Sequence, residues 1–232
     1  MPVLYLIPSP LSENTIPKVL PPDVIAIIHG LRQFVVEDVR TARRFLSKTG
    51  HPQKIELLQF RELNEHTSEK ETADFLPFLR AADTGVISEA GLPGVADPGA
   101  EIVRLAHANS IQVVALTGPS SIFMALMASG LNGQSFAFAG YLPKKQTERQ
   151  ARLRTLEKRS ANEKQTQIFI ETPYRNMQLL DDVLKTCRPS TMLTIAADIT
   201  GAGEFILTQS IQKWKNKLPD LNKIPAIFLL QA

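Results

Sequence analysis

A glycine- and proline-rich stretch, residues 88–99 (SEAGLPGVADPG), constrains the fold of this chain more than any other segment. It follows a short apolar run at 85–87, which predicts a buried strand, and it precedes residues 100–109, whose apolar positions recur at helical spacing. Open α/β sheets bind ligands at such strand-to-helix loops. Because glycine permits positive φ and proline fixes φ, the loop is predicted to be rigid and to contact a ligand. In a simpler interpretation it is only a turn, and in either case we expect Asp97 to cap the helix and Pro98 to start it.

The bulk properties are those of an ordinary globular protein. The chain has 232 residues, enough for one large domain or two small ones, and its net charge of +3 says little about partners. It has no apolar run of membrane-spanning length and no signal peptide, so we expect a cytoplasmic protein without a membrane partner. The single cysteine, Cys187, excludes an intramolecular disulfide, and the four histidines are scattered, so no metal site is predicted.

Strands and helices are predicted to alternate along the first part of the chain, which indicates an α/β domain. The predicted strands are 3–7, 24–28, 55–59, 85–87 and 111–116, and the predicted helices are 38–48, 68–80, 100–109 and 122–129. Asp38 is expected to begin its helix and Gly50 to end it, while Ser68 and Glu71 have the spacing of a capping box. A second crossover loop at 117–121 (TGPSS) is expected to form one pocket with the loop at 88–99.

The remainder of the chain predicts a second α/β domain. The predicted strands are 136–139, 167–170, 192–197, 204–209 and 227–230, and the predicted helices are 146–158, 175–187 and 211–217. We place the boundary just before residue 131, which gives an N-terminal domain of 1–130 and a C-terminal domain of 131–232 with a mixed sheet.

The helix predicted at 146–158 is strongly basic. Lys145, Arg149 and Arg152 are spaced to share one face of it. A cationic face suits a phosphate-rich partner such as RNA, although a solvated helix face is the commoner reason for such a composition.

Several motifs together resemble the ribosomal RNA small subunit methyltransferase I family, which belongs to the tetrapyrrole methylase superfamily of enzymes dependent on S-adenosylmethionine (SAM). The matching blocks are the two crossover loops, the acidic-acidic-x-Arg sequence at 37–40, and the sequences GYLPKK at 140–145 and ETPYR at 171–175. The chain departs from the family at Pro8-Ser9-Pro10, which lacks the usual following glycine, at Glu89, where the family has Asp, and at Tyr174, where the family has His.

The resemblance implies two α/β domains with SAM in a cleft between them, and a homodimer. It also implies three groups of site residues. The cofactor-binding residues are Ile7, Pro8, Ala90, Gly91, Leu92, Pro93, Ser120, Ser121 and Ile170. The candidate catalytic residues are Glu37, Asp38, Arg40, Glu89, Glu171 and Arg175, and the candidate RNA-binding residues are Lys144, Lys145, Arg149 and Arg152.

Three functions follow from the resemblance. The first is methylation of a ribose 2′-hydroxyl in small-subunit (16S) ribosomal RNA, which needs removal of the hydroxyl proton during attack. The second is methylation of a small molecule such as a tetrapyrrole, and the third is a SAM-binding protein without activity. His66 is a further candidate proton acceptor, although a solvated loop histidine is the simpler interpretation.

Overall fold

In a computed structural model, residues 2–63, 67, 71 and 73–232 are described. The chain divides into two compact units, one that extends to Ser120 and one that comprises Ser121–Ala232. No helix among the described residues is long and apolar enough to cross a membrane.

The first unit is built on a parallel sheet of five strands in the order β3-β2-β4-β1-β5. The strands are β1 (Val3–Ile7), β2 (Gln33–Val36), β3 (Gln59–Glu62), β4 (Thr84–Ile87) and β5 (Gln112–Ala115). The helices are α1 (Ile16–Val19), α2 (Pro22–Gly30), α3 (Val39–Lys48), α4 (Leu76–Ala81) and α5 (Gly99–Ala108), and Ile55–Leu57 forms a turn of 3-10 helix. Neighbouring residues of β2 enter different apolar clusters, Phe34 on one face of the sheet and Val35 on the other, so both faces are covered.

The prediction of a strand at 24–28 is wrong, because these residues lie within α2. Pro22 occupies the first turn of this helix, and Val24 and Ile28, one turn apart, are its buried residues. The strand predicted at 55–59 is displaced, since Ile55–Leu57 is helical and β3 begins at Gln59.

The predicted start and end of α3 are confirmed. The Asp38 carboxylate accepts a hydrogen bond of 2.6 Å from the backbone N–H of Thr41, and Gly50 has a φ of 74° beyond the helix end. The predicted cap at Ser68 lies outside the described residues, and only Leu76–Ala81 of that predicted helix is described as α4.

The second unit contains a mixed sheet, as predicted, in the order β6-β7-β10-β8-β9. The strands are β6 (Phe136–Tyr141), β7 (Thr166–Ile170), β8 (Met192–Ala197), β9 (Phe205–Ser210) and β10 (Ala226–Gln231). Only β6 and β7 run parallel, and the other pairs are antiparallel. The helices are α6 (Ser121–Ser129), α7 (Gln146–Glu163), α8 (Asn176–Thr186) and α9 (Ile211–Trp214).

The boundary between the two units lies before α6, whereas the boundary predicted from the sequence lies after this helix. α6 packs against β9 and β10, and the Thr208 hydroxyl donates a 2.7 Å hydrogen bond to the carbonyl of Ser129 at the end of the helix. The helix that follows the TGPSS loop therefore belongs to the second unit.

Candidate active site

The loops that follow β1 and β4 are bonded to each other. Ser9 and Gly91 exchange two backbone hydrogen bonds, of 2.8 and 3.0 Å, and form an isolated antiparallel bridge. The Ser9 hydroxyl also donates a 2.8 Å hydrogen bond to the carbonyl of Ser88. The β1 loop, which lacks the family's glycine, is thus bonded directly to the loop at 88–99.

The loop after β5 joins the same assembly through Gly118. A Cβ atom at this position would lie 2.2 Å from Cγ of Pro8, so no larger residue fits without displacing the proline ring. A Cβ on Gly91 would come within 3.9 Å of the carbonyl oxygen of Pro119. The two crossover loops recognised in the sequence therefore lie close together at the carboxyl ends of β4 and β5, the strands on either side of β1, at the edge where α/β sheets bind ligands.

The loop at 88–99 is held in shape by Asp97. Its Oδ1 atom accepts hydrogen bonds from the backbone N–H groups of Gly94, at 2.8 Å, and Gly99, at 2.7 Å. Gly94 and Ala96 have φ values of 80° and 64°, which the loop needs in order to turn back on itself. Burial raises the pKa of Asp97 in spite of these N–H donors. Asp97 thus has a structural role, but the prediction that it caps α5 and that Pro98 starts this helix is wrong, because Pro98 is the N-cap residue and α5 begins at Gly99.

A cavity of about 220 Å³ lies beside these loops in the first unit. Its walls come from the β1 loop, from α3 and from the start of the 88–99 loop. Its lining residues include Pro10, Leu11, Ser12, Glu13, Asn14, Ile16, Asp38, Arg44, Phe45, Lys48, Ile87 and Glu89. The cavity is therefore mixed in character, with apolar side chains, three carboxylates and two cations.

The acidic candidates of the first unit, Glu37, Asp38 and Glu89, lie close together. The Oε2 atom of Glu37 accepts a 3.2 Å hydrogen bond from the backbone N–H of Glu89, which ties the end of β2 to the loop after β4. Asp38 and Glu89 line the same cavity, and the N–H of Thr41 lowers the pKa of Asp38. Arg40 is exposed on the first turn of α3.

The predicted cofactor-binding residues differ in accessibility. The side chain of Ile7 is fully buried in an apolar cluster of the core. Those buried within the loops are Pro8, Gly91 and Pro93, and those with exposed surface are Ala90, Leu92, Ser120, Ser121 and Ile170. Ser121 and Ile170 are in the second unit.

Directly after β7, the second unit holds an ion pair between the buried carboxylate of Glu171 and the half-buried guanidinium of Arg175. The Oε1 atom of Glu171 accepts hydrogen bonds from Nη2 of Arg175, at 2.5 Å, and from the backbone N–H of Thr172, at 2.7 Å. This contact raises the pKa of Arg175. Among the described residues, the buried Oε2 of Glu171 and Nε of Arg175 have no hydrogen-bond partner. The side chain of Tyr174, which stands where the family has a histidine, is exposed.

The structure corrects the prediction that Arg149 binds RNA. Its side chain is 1% exposed and donates to Oδ2 of Asp182 on α8, through Nε at 2.7 Å and Nη2 at 2.5 Å. Burial disfavours ionisation of Asp182, but hydrogen bonds from Gln146, Gln150 and Arg149 outweigh it and lower the pKa. Arg149 therefore holds α7 to α8, whereas Lys144, Lys145 and Arg152 are exposed.

α3 presents a basic surface that was not among the predicted binding sites. Arg44 and Lys48 line the cavity, and the ten residues of the helix contain four cations and no carboxylate. That composition is visible in the sequence and could have identified the helix. His66, the other candidate proton acceptor, lies outside the described residues, and those that are described contain no cluster of three or more His, Cys, Asp or Glu side chains able to hold a metal ion.

Comparison with known proteins identifies the family to which these loops belong. The family model described as tetrapyrrole (corrin/porphyrin) methylases matches residues 18–214. The chain belongs to the tetrapyrrole methylase family. Its two α/β units are those of the tetrapyrrole methylase fold, and it is a methyltransferase, which implies a methyl donor as cosubstrate.

Similar curated proteins are named ribosomal RNA small subunit methyltransferase I. The one from Vibrio cholerae is 31% identical over 88% of this chain and 67% of its own length. The one from Pasteurella multocida is 27% identical over 99% of this chain and 79% of its own length. The one from Xylella fastidiosa is 32% identical over 81% of this chain and 66% of its own length. The chain thus spans about two thirds of the length of two of these relatives.

Solved structures with the same fold include the methyltransferase CobJ, with a TM-score of 0.65 at 15% identity, and uroporphyrin-III-C-methyltransferase from Thermus thermophilus, with a TM-score of 0.56 at 18% identity. Each match covers 100% of this chain and 94% of the other. At these identities the likeness shows the fold alone.

Proposed function

We propose that this protein is a cytoplasmic SAM-dependent methyltransferase that methylates a ribose 2′-hydroxyl in small-subunit (16S) ribosomal RNA. The observation that carries the proposal is its similarity, over most of the chain, to relatives that bear the name of that activity. The exposed basic side chains support an RNA acceptor, and the candidates in the second unit are Lys144, Lys145 and Arg152.

The residues present fit a donor such as SAM, which supplies a methyl group already activated on a sulfonium sulfur. In the first unit, Ala90 and Leu92 lie on the rigid loop and leave surface available for apolar contact. In the second unit, Ile170 precedes Glu171, whose Oε2 has no partner among the described residues and would accept a hydrogen bond from a ligand hydroxyl or amino group. Arg175 Nε offers a donor beside it.

The protein's part in the reaction is to position the acceptor and to take its proton. The hydroxyl oxygen forms a bond to the methyl carbon, the bond from that carbon to sulfur breaks, and the hydroxyl proton passes to a base. Glu89 and Glu171 are the carboxylates that we assign as candidate bases. We assign positioning roles to Glu37, which accepts the N–H of Glu89, and to Asp38, whose lowered pKa makes it a weak base.

The test uses purified protein, SAM with a labelled methyl group, and small ribosomal subunits that lack the modification. We expect label in a ribose of the rRNA, and we expect Glu89→Gln or Glu171→Gln to lower kcat by about 10²–10⁴-fold for whichever residue is the base. Glu56→Gln, which neutralises an exposed carboxylate elsewhere, should retain full activity.

Calorimetry with S-adenosylhomocysteine, the product of the donor, separates the alternatives. Binding without transfer to RNA, but with transfer to a tetrapyrrole, would assign the small-molecule function. Binding without transfer to any acceptor would indicate a protein that only binds the cofactor, and the absence of binding would contradict the proposal entirely.

We also propose a homodimer. On α6, Phe123 and Met127 lie one turn apart and are 56% and 81% exposed, which is unusual for large apolar side chains. Analytical ultracentrifugation should give twice the mass of 25.7 kDa, and Met127→Glu should reduce that mass to the value of one chain. A monomer in the wild type would contradict this part of the proposal.

A further inference from the structure

We infer that the cavity beside α3 receives one unpaired nucleotide of the acceptor RNA, and that the row of basic side chains on α3 binds the adjoining phosphates. The inference rests on the proposed function and gives the RNA a binding surface in the first unit. The helix predicted from the sequence to bind RNA, α7, lies in the second unit.

The size of the cavity limits what it can hold. Its volume is about 220 Å³, below the range of roughly 300–1,000 Å³ that is typical of pockets for whole drug-sized ligands. A single base or ribose is of suitable size, whereas a double-helical segment is far too large. Enzymes that modify a nucleotide commonly bind it unpaired and unstacked, in a pocket separate from the rest of the strand.

The chemistry of the walls suits a nucleotide. Pro10, Leu11 and Ile16 supply partly exposed apolar surface, on which a base or the carbon face of a ribose can pack. Ser12 and Asn14 from the β1 loop contribute side chains that can donate and accept hydrogen bonds. The cavity also contains Glu89, a candidate base, so a nucleotide bound there would lie next to the chemistry that we propose.

Charge on α3 supplies the second, independent observation. Arg40, Arg44 and Lys48 are exposed, and they follow one another at intervals of four residues, about 6 Å along the helix axis. Two of the three, Arg44 and Lys48, line the cavity. α3 itself contains no carboxylate, so the row presents positive charge along the helix, as a surface for consecutive phosphates must; the carboxylates nearby are those of the cap, Asp38, and of the cavity residues Glu13 and Glu89.

The experiment compares two double variants by the binding of a fluorescein-labelled single-stranded RNA of about ten nucleotides. Arg44→Gln/Lys48→Gln removes the two cations at the cavity. Lys213→Gln/Lys217→Gln removes the same charge from exposed positions in the second unit and serves as the matched control. We expect the affinity of the α3 variant for the RNA to be at least about tenfold lower than that of the control. We also expect the slope of log K against log salt concentration to be smaller in magnitude by about 1.4.

Equal affinities for the two double variants would overturn the inference. A loss confined to Arg152→Gln, with the α3 variant unchanged, would also overturn it and would assign the RNA surface to α7. Far-ultraviolet circular dichroism and S-adenosylhomocysteine binding, both expected to be unchanged, show that the α3 variant is folded.

A measurement on the wild type tests the cavity without any substitution. RNA that carries a single 4-thiouridine is irradiated in the complex, and the crosslinked peptides are mapped by mass spectrometry. We expect crosslinks to residues of α3 or to residues 87–90, and crosslinks only elsewhere would contradict the inference.

The outcomes also separate this inference from the proposed function. If the wild type binds S-adenosylhomocysteine but no RNA, the RNA function fails and the inference fails with it. If the wild type methylates RNA while the α3 variant behaves like the control, only the inference fails.

Discussion

Two helices of this chain are rich in positive charge, yet the fold uses that charge in different ways. α3 carries four cations and no carboxylate, and all four are exposed. α7 carries five cations and three carboxylates, but Arg149 is buried against Asp182, and Arg159 is paired with Glu163 on the same helix. A count of basic residues therefore does not indicate which helix can bind a phosphate. The packing and the neighbouring carboxylates decide that.

The largest expected effect is that of Arg149→Met. It leaves Asp182 buried without its cation, and we expect a loss of about 3–5 kcal/mol in the free energy of unfolding. Arg152→Met, on the exposed side of the same helix, should change stability by no more than about 0.5 kcal/mol. Denaturant unfolding followed by the fluorescence of Trp214, the single tryptophan, reports on the second unit. Equal losses for the two variants would show that Arg149 is not a structural residue.

The next effect concerns Glu157, the buried carboxylate of α7. It accepts hydrogen bonds from the backbone N–H of Arg188, at 2.7 Å, and from the hydroxyl of Thr191, at 2.6 Å. Glu157→Ala leaves both donors without an acceptor, and we expect the free energy of unfolding to fall by about 1–3 kcal/mol. The control is Glu148→Ala, since Glu148 is an exposed carboxylate of the same helix.

Cys187 provides a convenient measurement for the Glu157 prediction. Burial raises the pKa of its thiol to about 12, so the native protein should react slowly with a thiol reagent at pH 8. We expect Glu157→Ala to accelerate that reaction and Glu148→Ala to leave it unchanged. Rapid reaction of the wild type would contradict the burial of this segment.

A smaller effect is expected at the start of α3. Asp38→Ala removes the carboxylate that caps α3 by accepting the backbone N–H of Thr41, and it should lower the free energy of unfolding by about 1 kcal/mol. Asp38→Asn keeps an acceptor oxygen and should lower it by less. Because the pKa of Asp38 is lowered in the folded state, its contribution is present above the ordinary carboxyl pKa and is lost as the pH falls through the folded-state value. The stability difference between wild type and Asp38→Ala should therefore shrink between about pH 5 and pH 2. A difference that does not vary with pH would contradict the ionised cap.

The smallest effect is that of Glu163→Ala on α7. The side chains of Glu163 and its partner Arg159 are about half exposed, so we expect the free energy of unfolding to fall by no more than about 0.5 kcal/mol. The loss should be smaller still at ~1 M salt, which screens the pair. Thermal unfolding at low and high salt checks this. A loss larger than that of Glu157→Ala would reverse the ranking of buried and exposed charges on this helix.

Most of the architecture could be predicted because local signals agreed with the fold. Asp38 and Gly50 mark the ends of α3 in the sequence, and the glycines and prolines of 88–99 mark the loop that Asp97 holds. The strand predicted at 24–28 was wrong because this run (VIAII) is entirely apolar and rich in β-branched residues. Such a run shows neither helical nor strand periodicity. The proline pair at 21–22 was the overlooked helix signal.

The site was less predictable because its geometry depends on residues distant in sequence. Arg149 has the spacing of a surface cation, but it also shares its face with Leu153 and Leu156, which are buried, and that pattern would have placed it inside. Its partner Asp182 lies 33 residues away. The unpartnered Oε2 of Glu171 is likewise invisible to sequence patterns, because it depends on how one ion pair is oriented.

The position of β10 has a consequence for how the second unit is made. β10 lies between β7 and β8 and bonds to both, although it is the last strand of that sheet to be synthesised. Until it emerges from the ribosome, the pair β6–β7 and the hairpin β8–β9 each keep an inner edge without a partner, and such edges associate readily with other chains. The second unit therefore completes its native sheet only after β10 has been translated.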